Sequence, residues 1–193
     1  MGSLLPQWLE IVWTAVFAAV GCSHLRHMLR SAGQRRAWHA CHVLMAAGMA
    51  FMYLPVATVP ASFWQLVFAA AGVITAFWAL GGVGFVATTI WLLTALDLGV
   101  MLLMWSGTHV SAALVLVVVA YLAVEAGLWL LDTYRRLDGS AALINWQLLS
   151  AEGESVTVAR PVAASLLGEL DITASMVAMA AGMAYMLIAM MIM

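Results

Sequence analysis

Residues 172–193 read ITASMVAMAAGMAYMLIAMMIM, 22 positions in succession without a charged side chain. A membrane span needs about 20 mostly apolar residues, because a helix rises about 1.5 Å per residue and the hydrocarbon layer is about 30 Å thick. Backbone groups in lipid must be paired within their own segment or in a closed barrel. This run is too long and too continuously apolar for a barrel strand, so it predicts a helix. Working back along the chain, five more runs qualify: Leu4 to Met28, Trp38 to Leu54, Ser62 to Leu80, Val83 to Trp105 and Val110 to Leu131. Pro55 and Pro60 bound the second loop, and Gly81-Gly82 marks a tight third one. The expected architecture is all-α: a polytopic bundle of six transmembrane helices, one domain over residues 1–193.

Composition leads to the same class. Hydrophobic residues make up 66% of the chain and charged residues 8%, against about 45–50% and about 25% in ordinary soluble domains. A soluble fold could not cover its surface with so few charges, and so much apolar surface excludes extended disorder. A net charge of −2 without a basic tract excludes nucleic acid as a partner. Two cysteines do not make a disulfide framework.

Orientation follows from arginine. Arg26, Arg30, Arg35 and Arg36 flank the first loop, and Arg135, Arg136 and Arg160 lie in the loop before the last span. With six spans both loops fall on one side, which the positive-inside rule makes cytoplasmic, so both termini face outward. Trp8, Trp64 and Trp105 then lie near the outer boundary, and Trp38 and Trp129 near the inner one. The first span is expected to be retained rather than cleaved as a signal peptide, since no basic region and small-residue cleavage site frame it. The polar stretch 133–160 reads either as a cytoplasmic loop packed on helix ends or, around Trp146, as a short helix on the inner leaflet.

Chemistry is carried by sulfur and imidazole. Met176, Met179, Met183, Met186 and Met190 step by three and four, which keeps them within roughly an 80° arc of one helix. Glu169 continues that face. His42, Met45, Met49 and Met52 repeat the pattern with His39 beside them, and Asp97, Met101 and Met104 share a face of the fourth span. The first span ends in His24, His27 and Met28. Antiparallel neighbours joined by a short loop put His24 and His27 level with His39 and His42, with Met176 and Met179 at similar height. Met49, Met52, Met183 and Met186 are expected deeper, near Asp97.

Soft thioether ligands select Cu(I), and imidazole also binds copper. A neutral thioether lane holds a monovalent cation without burying many carboxylates, whereas zinc prefers thiolates, imidazoles and carboxylates in a tetrahedral cage. The candidate metal ligands are therefore His24, His27, His39, His42, Met45, Met49, Met52, Met176, Met179, Met183 and Met186, with Asp97 and Glu169 as polar or charge-compensating groups. Cys22 and Cys41 are expected as free thiols. Each feature has a plainer alternative. Methionine fills apolar cores or faces lipid, and a histidine at a helix end caps a carbonyl. Asp97 can serve an interhelical hydrogen bond. Glu125, Asp132, Glu169 and Asp171 can pair with Arg135, Arg136 or Arg160. No nucleophile elbow, phosphate-cradling glycine loop or His-Glu-x-x-His argues for catalysis.

With His24-x-x-His27, His39-x-x-His42-x-x-Met45 and the Met-rich last helix in view, the chain resembles a family of small bacterial membrane proteins known as a domain of unknown function. The resemblance implies a fold and no activity. The pattern is also similar to copper-handling membrane proteins, without the Cys-Pro-Cys of copper-pumping ATPases. The expectation is a multi-pass protein of the bacterial plasma membrane. It would bind Cu(I) for transport, sequestration or sensing, with lipid and the metal ion as partners and a protein partner or second copy left open. The alternatives are a b-type haem or quinone oxidoreductase, since His and Met ligate haem iron, and a non-metal accessory subunit.

Overall fold

The computed structural model describes residues 6–54, 59–81, 85–107, 110–137 and 162–192. Six helices lie among them: α1 Gln7–Arg30, α2 Gly33–Tyr53, α3 Ala61–Leu80, α4 Phe85–Trp105, α5 Ala112–Leu137 and α6 Val162–Ile192. By length and composition, α1, α3, α4, α5 and α6 contain five stretches able to cross a membrane. Among the described residues the protein is all-helical, with five helices of the length and apolarity that membrane spans need.

α2 is not among the five. Its first half carries Gln34, Arg35, Arg36, His39 and His42, which lowers its apolarity. The helix is nonetheless among the most enclosed, with Trp38, His39, His42, Met45, Ala46, Gly48, Met49 and Tyr53 buried. Its two histidines are enclosed by protein side chains, so this part of its sequence need not be apolar. The sixth crossing expected over Trp38 to Leu54 is therefore a buried helix whose composition alone does not mark it as a span.

Helix ends also differ from expectation. α1 runs on to Arg30 and α2 begins at Gly33, so only Ser31 and Ala32 link them. Arginine is a good helix former, and nothing obliges a helix to stop where lipid stops. Gly33 takes φ +55°, a left-handed backbone that favours glycine, and this turns the chain into the hairpin. α5 continues to Leu137, past the expected end at Leu131, and α6 begins at Val162. Most of the stretch 133–160 lies outside the described residues, including the part around Trp146.

Packing is strongest within the pairs α1–α2, α3–α4 and α5–α6; α6 also lies on α1, and α2 meets α4 and α6. One core cluster joins them and includes eight methionines: Met45, Met49, Met101, Met104, Met176, Met179, Met183 and Met186. The methionine faces thus turn inward, while Leu25, Leu66, Phe77, Leu116, Val117 and Leu130 form part of the apolar exterior. Two glycines let helices approach closely. Gly48 of α2 lies against Phe68 and the Met101 methyl, and Gly182 of α6 lies against Phe17 and Trp13. Beside Gly182, the Tyr53 hydroxyl donates to its carbonyl at 3.2 Å, and Trp13 stacks with Phe17, Tyr53 and Tyr185.

Candidate functional site

The short Ser31-Ala32 link brings the C-terminal end of α1 beside the N-terminal end of α2, and four imidazoles meet there. His24, His39 and His42 are each 0% exposed. His24 stacks on His42 with ring centroids 4.9 Å apart, and His27 stacks on His39 at 5.3 Å. Trp38, also buried, borders the group, with its ring centroid 4.1 Å from His42, 5.0 Å from His39 and 5.8 Å from His24. The sequence expectation that the two histidine pairs share one level is met.

Hydrogen bonding restricts the protons. His42 Nδ1 donates to the Trp38 carbonyl at 2.8 Å. That oxygen can only accept, so the neutral ring carries its proton on Nδ1 and a bare lone pair on Nε2. His24 Nδ1 and His39 Nδ1 are 3.1 Å apart. One must donate and the other accept, so at least one ring of this pair is neutral, and the donor, when neutral, has a bare Nε2 lone pair. The Nε2 atoms of His24, His39 and His42 are all buried without a hydrogen-bond partner. A buried polar atom without a partner costs about 1–3 kcal/mol. Three of them in one cluster form an unusual concentration of unmet bonding capacity.

His27 is held differently. Asp171 Oδ2 of α6 accepts from the Ser23 hydroxyl at 2.6 Å and from the Arg26 guanidinium at 2.6 Å, and lies 3.2 Å from His27 Nε2. Donation from Nε2 to this carboxylate leaves the His27 Nδ1 lone pair free in the neutral ring, the arrangement by which carboxylates orient metal-binding histidines. The sequence reading offered Arg135, Arg136 and Arg160 as partners for Asp171; the structure pairs it with Arg26. The reason is that α6 packs on α1, which sequence spacing does not reveal. Asp171→Asn is expected to lower stability by on the order of 1–2 kcal/mol, chiefly through the Ser23 and His27 bonds, because the Arg26 pair is solvent-screened. Thermal unfolding of the variant in detergent checks this.

Below the imidazoles lie thioethers. Met45 and Met49 continue the His42 face, and Met176, Met179, Met183 and Met186 are buried on α6. Met52 is half-buried against the same core. Met45-x-x-x-Met49 and Met179-x-x-x-Met183 are pairs one helical turn apart with both members enclosed. The side chain of Glu169 and all of His109 lie outside the described residues.

Asp97 is 2% exposed. On α4 it falls between Trp91, whose Nε1 donates to Gln34 of α2 at 3.2 Å, and Met101, which packs on Gly48 of α2. The α2 stretch bracketed by Gln34 and Gly48 carries the histidines and Met45. Asp97 thus sits on α4 between its contacts with Gln34 and with Gly48 of α2. The Tyr121 hydroxyl donates to Asp97 Oδ1 at 2.9 Å, and Glu125 lies within hydrogen-bonding reach of it. Glu125 was expected at the inner boundary with an arginine; it is instead buried against Asp97 because this face of α5 turns inward. The signal was available one turn earlier, since Tyr121 and Glu125 share a helix face.

Cys22 is exposed and Cys41 half-buried, both as free thiols. Among the described residues, no three His, Cys, Asp or Glu side chains stand as a ready metal-ligating group. The stacking that packs the imidazoles also keeps them from converging on one point. An ion at this end would be shared between imidazole and thioether, as at His42 and Met45, which occupy one helix face a turn apart. No family model matches the chain, and none of the curated proteins or solved structures compared with it gives a match.

Proposed function

We propose that the chain is a six-span protein of the bacterial plasma membrane, with both termini outside, that binds a soft metal ion, Cu(I), for transport, sequestration or sensing. The observation that carries this reading is the set of three buried histidines whose Nε2 atoms have no partner, adjoining an interior lined by methionine from α2, α4 and α6. Imidazole nitrogen and thioether sulfur together suit Cu(I) better than zinc or a hard cation. The ligands proposed, in imidazole–thioether sets rather than around one ion, are His42 with Met45, and His24 and His39, with Met176 and Met179 facing them, His27 held by Asp171, and Met49, Met52, Met183 and Met186 as secondary positions. Asp97 and Glu125 supply negative charge.

The test is elemental analysis and Cu(I) titration of the full chain, purified without chelator and kept reduced. Stoichiometric copper in a colourless protein is expected. A Soret band would instead establish the haem reading, and a protein with neither copper uptake nor haem would overturn both. Asp97→Asn is expected to weaken Cu(I) uptake by about tenfold, the scale of lost supporting interactions around a metal. Unchanged uptake by the folded variant would remove Asp97 from the site.

A further inference from the structure

Asp97 of α4 and Glu125 of α5 are buried inside helices apolar enough to cross a membrane. An intramembrane carboxylate is costly and almost always faces a partner or cavity. Here the partner of each is the other, together with Tyr121. The Tyr121 hydroxyl donates to Asp97 Oδ1 at 2.9 Å, with the Leu93 carbonyl as a longer second acceptor at 3.4 Å. An ionised carboxylate only accepts, so a hydrogen bond between Asp97 and Glu125 requires a proton on one of them. The titratable groups that act on the pair are these two carboxyls and Tyr121. On its other side Glu125 adjoins the buried indole of Trp129.

We propose that Asp97 and Glu125 form a proton-binding site within the membrane, holding one proton between them. On release, the carboxyl O–H bond breaks, its electron pair stays on the carboxylate, and the proton passes to solvent water, giving hydronium. Uptake is the reverse. The site does not depend on the metal reading, since neither carboxyl touches an imidazole nitrogen among the described contacts.

Infrared spectroscopy of the full chain in lipid at neutral pH tests the proposal without added metal. A carboxylic-acid carbonyl band is expected. It should move to lower frequency in D2O, shift in Asp97→Asn and in Glu125→Gln taken singly, and vanish in the double variant. No such band, a band that one single substitution leaves unmoved, a band surviving in the double variant, or one unaltered by D2O would overturn it. If Asp97→Asn fails to fold, Tyr121→Phe serves instead. It keeps both carboxyls, removes the bond donated to Asp97, and should shift the same band; an unmoved band there would equally end the proposal.

Discussion

A chain carrying His24→Ala and His42→Ala together is expected to lose Cu(I) affinity by on the order of 100-fold or more, since changing even the groups that merely orient metal ligands costs about 10–100-fold. The two positions are not equivalent. His42 has its Nδ1 committed to the Trp38 carbonyl, so its Nε2 is directed by the backbone of its own helix. His24 is bonded to His39, so its loss also frees the His39 Nδ1. Competition titration against a Cu(I) chelator gives the affinity, and retained helicity separates ligand loss from misfolding, because both rings are fully enclosed. Met176→Leu with Met179→Leu is a gentler companion. Leucine keeps nearly the same volume, a swap that usually costs less than about 1.5 kcal/mol, so a fall in affinity there reports sulfur rather than packing. Full affinity in the folded histidine variant would refute the proposed site.

The second large effect lies in packing. Gly182→Val is expected to destabilise the fold by about 3 kcal/mol, the upper end for overpacking. Even a single added methyl would overlap the Phe17 ring and crowd Trp13 at 3.3 Å. Those rings are locked in a stack with Tyr53 and Tyr185, so they cannot yield without disturbing three helices. Gly127→Ala on α5 is the control. An added methyl there meets nothing within 4 Å, and relief of helical glycine is worth roughly 0.5–1 kcal/mol in the opposite direction. Comparing their thermal midpoints in one detergent tests both, and equal midpoints would show that Phe17 can swing aside.

Much of this architecture can be read from spacing. Three- and four-residue steps put Met176, Met179, Met183 and Met186 on one face, and all four are buried. Two histidine pairs flanking a short break had to meet if the helices formed a hairpin, and they do. What periodicity cannot supply is rotation of one helix against another. Asp171 finds Arg26 and Ser23 across 145 and 148 positions of sequence, a pairing set by how α6 lies on α1. Glu125 looked like a boundary residue from its distance to the helix end; the inward facing of α5, which Tyr121 shares one turn earlier, decides its role. Trp38 looked like an interfacial ring, and is in fact packed inside among the histidines. Its neighbourhood depends on α1, α2 and α5 converging, which no single segment encodes.

The indoles of Trp38 and Trp129 lie 6.0 Å apart, interposed between the imidazoles on one side and the Glu125 carboxyl on the other. They act as a thin dielectric layer between two plates. Charge on either plate would be felt across it by field alone, without an exchanged ligand or a moving helix. Any such cross-talk between the proposed cation and the proposed proton is reciprocal by thermodynamic necessity: what the cation did to the acid pair, protonation of that pair would do in equal measure to cation affinity.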